Sequence, residues 1–467
     1  MVAFVVAFVV VVVVVLSWSF FSVPPTSYFV LRNSYFLLIA PDLLPHGILV
    51  SGGSGEAPLS KGFTMRLTTL ALLIAALPAF ARPQDPPKQD PAEIEFQKKV
   101  DAAIDKGVQF LLAKYKTGGI SEQKKAELIL LTLVHAGLRR DHPFLVENMN
   151  KMLNRNLNDT YNAGLRGLLL EKVDRKINQR ALAELAMFFV DSQCENGQWT
   201  YTGKSRKIPG QYIPVATKRK DDALPPGSTR SDDDGIPPGK PIKLPPPGKA
   251  SGVKTGDDSN AQYAVLALFA AARANVEVPK STWEKCEQWF ESKQNSDGGW
   301  GYQCADVPDG AGNGIVSNSS SGSMTTAGLT AMIVCKFYLG KDWKADAKVQ
   351  KGLTWLGSNL SYSSNPGGHA VWHYYYLYGL ERVGQIAGMK EFGGRDWYKG
   401  GADWLLSNQK DDGRWEEPSA KPTYDALADD VVNTCFAILF LRRATPELKR
   451  PKDIASEDVR KKDAPQK

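Results

Sequence analysis

From about residue 95 the polar and apolar positions recur with helical spacing, almost to residue 443. Two kinds of helix alternate. One kind carries charges along one face, which predicts amphipathic helices at about 95–115, 143–155, 176–193, 280–294, 345–359 and 396–409. The other kind is apolar nearly all round and rich in small residues, at about 124–137, 161–171, 259–274, 323–339, 368–384 and 427–443. The run from Ala261 to Ala272 is its clearest member. A helix without a polar face is stable only when buried, and a half-polar helix is what covers it. Six outer and six inner helices in alternation therefore predict an all-α fold. The simplest closure is six hairpins in a ring, an α6/α6 toroid with the inner helices around a central cavity. No alternating run in this region predicts a strand.

A repeat reinforces the pattern. Gln193-Cys194-Glu195-Asn196-Gly197-Gln198-Trp199, Gln294-Asn295-Ser296-Asp297-Gly298-Gly299-Trp300 and Gln409-Lys410-Asp411-Asp412-Gly413-Arg414-Trp415 share one frame. Each follows an aromatic residue five positions earlier (Phe188, Trp289, Trp404) and an apolar one four earlier (Phe189, Phe290, Leu405). The Asn/Asp-Gly step suits a left-handed helix stop, where glycine escapes the Cβ clash. The Gln is placed to satisfy loose carbonyls at that end, and the Trp to fold back over the last turn. Asp297 and Asp412 belong to these turns and are expected to be structural. Lys106-Gly107…Phe110-Leu111 and Lys351-Gly352…Trp355-Leu356 keep the aromatic-aliphatic pair but lose the Gln and the Trp.

This frame resembles the Gln-Trp repeat of the squalene/terpenoid cyclase and protein prenyltransferase superfamily. The resemblance covers roughly residues 95–443. It implies an α6/α6 toroid with an apolar central cavity, here a single barrel where full squalene cyclases resemble two fused ones. It also implies an isoprenoid-like or other apolar ligand in that cavity. If there is catalysis, the resemblance implies terpenoid cyclase-like or transferase chemistry.

The flanking segments read differently. Residues 2–21 are almost all apolar but lack a basic flank. A second signal starts at Met65, with Arg66, an apolar core from Leu67 to Leu77, and Pro78-Ala79-Phe80-Ala81. It has the three parts of a secretory signal peptide over 65–81, with 1–64 as a mis-assigned extension. The expectation is a periplasmic or secreted protein cleaved near Ala81. The alternative is an uncleaved N-terminal membrane anchor. Residues 82–94 read as a tether and 444–467 as a charged tail. The Pro-rich stretch 203–258 reads as a flexible insertion, because it cannot bury enough apolar surface to order itself.

Composition adds exclusions. With 43% hydrophobic and 23% charged residues, the chain is neither wholly disordered nor a small disulfide-stapled domain. Its net charge of +7 is small beside 57 Lys+Arg and 50 Asp+Glu, so nothing argues for nucleic acid. Five cysteines leave at least one unpaired within the chain. Cys335 and Cys435 fall in apolar helical runs, while Cys286–Cys304 or Cys194–Cys304 could pair in an oxidising compartment.

The chemistry is fainter. The related cyclases use Asp-x-Asp-Asp, in which a carboxylic acid kept protonated by its neighbours protonates an alkene. Here Asp425-Ala-Leu-Ala-Asp429-Asp430 opens the last inner helix with the spacing Asp-x3-Asp-Asp. Asp429 or Asp430 is the candidate acid, and His373 the residue that orients it. The competing reading is that acidic residues at a helix start cap amides and meet the dipole. Asp232, Asp233 and Asp234 lie in the Pro-rich loop and read as solvated. His369 and His373 share a helix face, but no third ligand stands at a usual spacing, so no metal is expected. His369, Trp372, Tyr263 and Tyr376 are the ligand-binding candidates among the aromatic supply of the inner helices. Core filling is the competing role. There is no phosphate loop, GxGxxG turn or nucleophile elbow, and no cofactor is expected. Two other classes stay open. One is a carbohydrate-active barrel, with Glu381 and Asp429 or Asp430 as its carboxylates. The other is a non-catalytic interaction scaffold.

Overall fold

Six apolar helices and six half-polar ones are what the alternation asks for, and the structure contains them. It is a computed structural model that describes residues 13–14, 28–32, 35–39, 90–115, 125–208, 210–212, 239–246, 256–302, 318–368, 372–417 and 429–450. Two units separate, residues 1–86 and 87–467. In the first, β1 (Val13–Val14), β2 (Tyr28–Arg32) and β3 (Tyr35–Ile39) form an antiparallel sheet in the order β1-β3-β2. The expected signal peptide at 65–81 lies outside the described residues, as does 2–21 apart from β1. Among the described residues no helix is long and apolar enough to cross a membrane.

The second unit is mostly helical. The half-polar set is α1 (Pro91–Lys114), α3 (Pro143–Leu153), α5 (Gln179–Ser192), α7 (Lys280–Lys293), α9 (Ala347–Asn359) and α11 (Trp397–Asn408). The apolar set is α2 (Ala126–His135), α4 (Thr160–Asp174), α6 (Asp258–Arg273), α8 (Gly322–Tyr338), α10 (His373–Ala387) and α12 (Asp430–Arg442). Every residue of α6 is buried, and all but the last two of α8. Within the apolar set α2 packs on α4, α4 on α6, α6 on α8, α8 on α10, α10 on α12, and α12 on α2. Small residues permit the closest of these approaches. A Cβ on Gly164 would lie 2.9 Å from that of Tyr263, and one on Gly167 3.1 Å from that of Ala267.

Four of the six apolar helices share a start signal. Asp159 accepts from the amide of Asn162 at 2.8 Å, Asp257 from Asn260 at 2.8 Å, Ser321 from Met324 at 3.4 Å and Asp429 from Val432 at 3.0 Å. Each side chain caps an otherwise orphaned first-turn amide.

Short strands occur where none was expected. β4 (Leu157–Asp159) pairs antiparallel with β5 (Thr202–Arg206), β6 (Ile242–Lys243) parallel with β7 (Val276–Glu277), and β8 (Glu391–Phe392) antiparallel with β9 (Arg395–Asp396). Parts of the insertion are thus held by backbone pairing, which needs little apolar surface. The Gln179 amide adds a bond to the Lys240 carbonyl at 2.7 Å. The tail also begins later than expected, since Ala444 and Thr445 are buried. Cys194, Cys286, Cys335 and Cys435 are buried free thiols, and Cys304 lies outside the described residues.

The three Gln-Trp turns are superimposable in their bonding. The indole N–H of Trp199 donates to Phe189 O at 2.7 Å, that of Trp300 to Phe290 O at 2.9 Å and that of Trp415 to Leu405 O at 2.9 Å. All three indoles are wholly buried. Gln193 Nε2 donates to Gly197 O at 3.1 Å and to Thr282 O in α7 at 3.0 Å. Gln294 repeats this with Gly298 O at 2.8 Å and Lys348 O in α9 at 2.7 Å. Gln409 does so with Gly413 O at 2.9 Å and Ala103 O in α1 at 2.8 Å. The Gln therefore ties its turn to the next half-polar helix, rather than only closing its own. Gly197, Gly298 and Gly413 take φ of 98°, 96° and 92°. A side chain on any of them would strike the carbonyl of Lys285, Lys351 or Lys106. The motifs that lack Gln and Trp are the sockets. Gly352 and Gly107 leave room for the rings of Trp300 and Trp415, each within 3.0 Å of where a Cβ would stand.

Replacing Trp300 by Ala should cost about 3–5 kcal/mol, as for other buried aromatics. Gln294→Ala should cost about 1–3 kcal/mol by orphaning two carbonyls. Urea denaturation measures both, and an unchanged midpoint for Trp300→Ala would contradict the role given to the turn.

Candidate functional site

The amino-terminal ends of α4, α6 and α10, with Phe436 from the middle of α12, bring a tier of aromatic rings together. Tyr161 stacks on Tyr201 at 5.9 Å and leans on Tyr263 at 4.5 Å. Tyr263 stacks on Tyr375 at 6.4 Å, and Tyr375 meets Trp372 at 6.0 Å and Phe436 at 5.7 Å, edge to face. Tyr201, at 49% exposure, is the solvent end of the series, and its hydroxyl bonds that of Tyr302 at 2.7 Å. Phe436 stacks on Tyr378 at 5.7 Å, and the Arg382 guanidinium lies 4.2 Å from the Tyr378 ring centre. Arg382 is wholly buried and donates to Gln262 Oε1 at 2.7 Å, while Gln262 Nε2 donates to Tyr375 Oη at 2.6 Å. Tyrosines, a glutamine and a cation therefore fill the space beneath the aromatic tier.

Polar groups border the tier. Asp257 accepts from Ser259 Oγ at 2.5 Å and Asn260 Nδ2 at 2.6 Å. Burial still holds its carboxyl above the usual range. Asp258 is wholly buried and accepts from Trp289 Nε1 at 2.7 Å and Gln198 Nε2 at 2.8 Å. Burial pushes it to about 7 against those bonds. Glu417 accepts from the His373 amide at 2.9 Å, and burial raises it to about 7.

The residues expected to carry acid chemistry are not assembled. Asp429 caps α12 and pairs with Lys125, so both its oxygens are engaged. Asp430 faces Arg414 Nε at 3.3 Å, and its partial burial raises it against that cation. The His373 side chain bonds neither of them. Its two ring nitrogens have no hydrogen-bond partner, its ring leans on Trp404 at 4.5 Å, and burial lowers it to about 4. The cap on α12 recurs on α4, α6 and α8, which explains Asp429 without catalysis. Glu381 does not face Asp429. It accepts from Thr445 N at 2.9 Å and Thr445 Oγ1 at 2.7 Å, beyond the other end of α12. A helix of that length puts about 20 Å between them, at 1.5 Å per residue, well outside the roughly 5–9.5 Å of paired glycosidase carboxylates.

Of the ligand candidates, Trp372 and Tyr263 belong to the aromatic tier. Tyr376 does not. It is wholly buried, its hydroxyl accepts from the Ser361 amide at 3.4 Å, and its ring packs where a Cβ on Gly322 would stand, 2.7 Å away. His369, Asp425 and Asp232–Asp234 lie outside the described residues. Asp297 is structural, taking Ser320 Oγ at 2.7 Å and Trp355 Nε1 at 2.9 Å. Among the described residues no group of three or more His, Cys, Asp or Glu could hold a metal ion.

Sequence reading passed over Asp257, Asp258, Glu417 and Arg382. Asp257-Asp258 opens its helix as Asp429-Asp430 opens the last one, and comparing the two starts would have found it. Arg382 is a charge inside an otherwise apolar helix, a visible anomaly. Glu417 carries no local signal.

The titrations have opposite signs. Glu417 and Asp258 keep their protons to higher pH folded than unfolded. Their stabilisation is full below about pH 4 and is lost as pH rises through about 7. His373 stabilises fully above its ordinary 6.5, and this is lost as pH falls through about 4. Glu417→Gln should flatten the fall in stability between pH 5 and 7.5, measured as urea midpoints. An equally steep fall in the variant would contradict the raised value. Asp429→Ala should cost about 1 kcal/mol, a typical cap, at neutral pH. Compared with known proteins, the chain matches no family model and no curated protein.

Proposed function

We propose that residues 95–443 form a single α6/α6 toroid of the squalene-cyclase and prenyltransferase repeat type. Its mouth, at the amino-terminal ends of the inner helices, binds an isoprenoid-like or other apolar ligand, and the protein acts as a binding module rather than an acid-initiated cyclase. The return of α12 to α2 and of Gln409 to α1 supports the ring. The three matching Gln-Trp turns support the family.

One observation carries the ligand reading. Aromatic faces from three inner helices continue from exposed Tyr201 through Tyr161 and Tyr263 to Tyr375, with Trp372 beside it. Such faces give large apolar contact area at low entropy cost. A second observation argues against cyclisation through cations. Arg382 already lies 5.5 Å from the Tyr263 ring centre and 5.9 Å from that of Tyr375. With no anion bound to it, that guanidinium would repel a carbocation above those rings by about 2 kcal/mol at 8 Å with an effective dielectric constant of 20. The reading also carries export after cleavage near Ala81.

The test is titration of the folded chain from residue 82 with a fluorescent farnesyl probe, together with mass spectrometry of lipid that co-purifies. Trp372→Ala and Tyr161→Ala should each weaken probe binding about tenfold, and Asp429→Asn should leave it unchanged. Failure of the intact protein to bind any probe or retain lipid would overturn the proposal.

A further inference from the structure

A second feature lies at the opposite ends of the same helices. A cavity of about 20 Å³ is lined by His135 of α2, Glu171 of α4 and Arg175 just beyond it, Leu266 of α6, and Tyr378 and Arg382 of α10. That volume admits one atom-sized occupant, since a single water needs about 10–15 Å³. Arg382 is the group without full compensation. It is wholly buried, and its bonds run to a carbonyl, Tyr378 O at 3.3 Å, and to the neutral Gln262 amide at 2.7 Å. Nη2 has no hydrogen-bond partner. No nearby carboxylate bonds Arg382, although the charge of buried Glu381 acts on it through space. Glu171 takes Arg273 at 3.2 Å and Arg175 at 3.4 Å, and Glu381 takes Thr445.

A buried guanidinium with an unbonded nitrogen and no anion in direct contact is unfavourable, because nothing replaces the hydration of that nitrogen. Tyr263, Tyr375 and Tyr378 offer it their faces, which offsets part of that loss. We propose that this cavity is a site for a small monovalent anion of halide size, bound to Arg382 Nη2. The anion is the missing acceptor of the buried guanidinium, adding to the charge that Glu381 supplies from a distance. It locks α10 to α4 and α6.

Bromide is the probe. Crystals of the whole protein soaked in sodium bromide should show an anomalous peak within about 3.5 Å of the Arg382 guanidinium, the distance expected of a charged contact. In solution the melting temperature should rise saturably when gluconate is exchanged for chloride at constant ionic strength. Arg382→Met should abolish that rise if it folds, and the wild-type measurements stand if it does not. A water in place of the anomalous peak, together with a melting temperature indifferent to chloride, would overturn the proposal.

Discussion

The glutamine side chain that joins one half-polar helix to the next is the constraint on which the helical unit depends. A helix end leaves carbonyls and amides unpaired, and a turn between two helices has to dispose of them in little space. Each Gln-Trp turn does so with two donors. The glutamine amide spans its own turn and the following helix, and the indole returns to the last turn of the helix it ended. The same turns also start the apolar helices. Trp199 O and Trp300 O accept from the amides of Asp257 and Ser321, which are the caps of α6 and α8. Position is thereby passed from a half-polar helix both to its neighbour and to the buried helix behind it.

That arrangement brings the aromatic tier into being. Tyr161 and Tyr263 meet because α4 and α6 are held in register at their starts, and because Gly164 and Gly167 let the two backbones approach. Tyr375 meets them because α10 carries it in its first turn. In the toroid we propose, a ligand site results from aligned helix starts. Asp429 and Asp430, which invited a catalytic reading, are part of the alignment.

How much was legible follows from what each signal depends on. All twelve helices were readable because burial and helical period are local properties of the chain, and Gln193, Gln294 and Gln409 because their frame repeats. The partners of those glutamines were not readable, since Thr282, Lys348 and Ala103 are ordinary residues chosen by position. The paired strands β4–β5 and β6–β7 escaped notice because they are too short for a period-two pattern. His373 was misjudged. Its spacing from His369 suggested a polar role, whereas Trp404 and Tyr374 enclose it. Arg382 is a lone charge in an apolar helical run, and its partner Gln262 lies 120 residues away, where only packing brings the two together.

Closure is the central claim, and it depends on the bond that brings Gln409 back to α1. Spin labels on the exposed positions Lys106 and Asp411, in a chain with Cys304 changed to Ser, report it directly by dipolar spectroscopy. A single narrow, short distance that persists until the protein unfolds is the result expected of a closed circle. A broad or long distribution in the folded protein would mean an open array, and the toroid would be wrong.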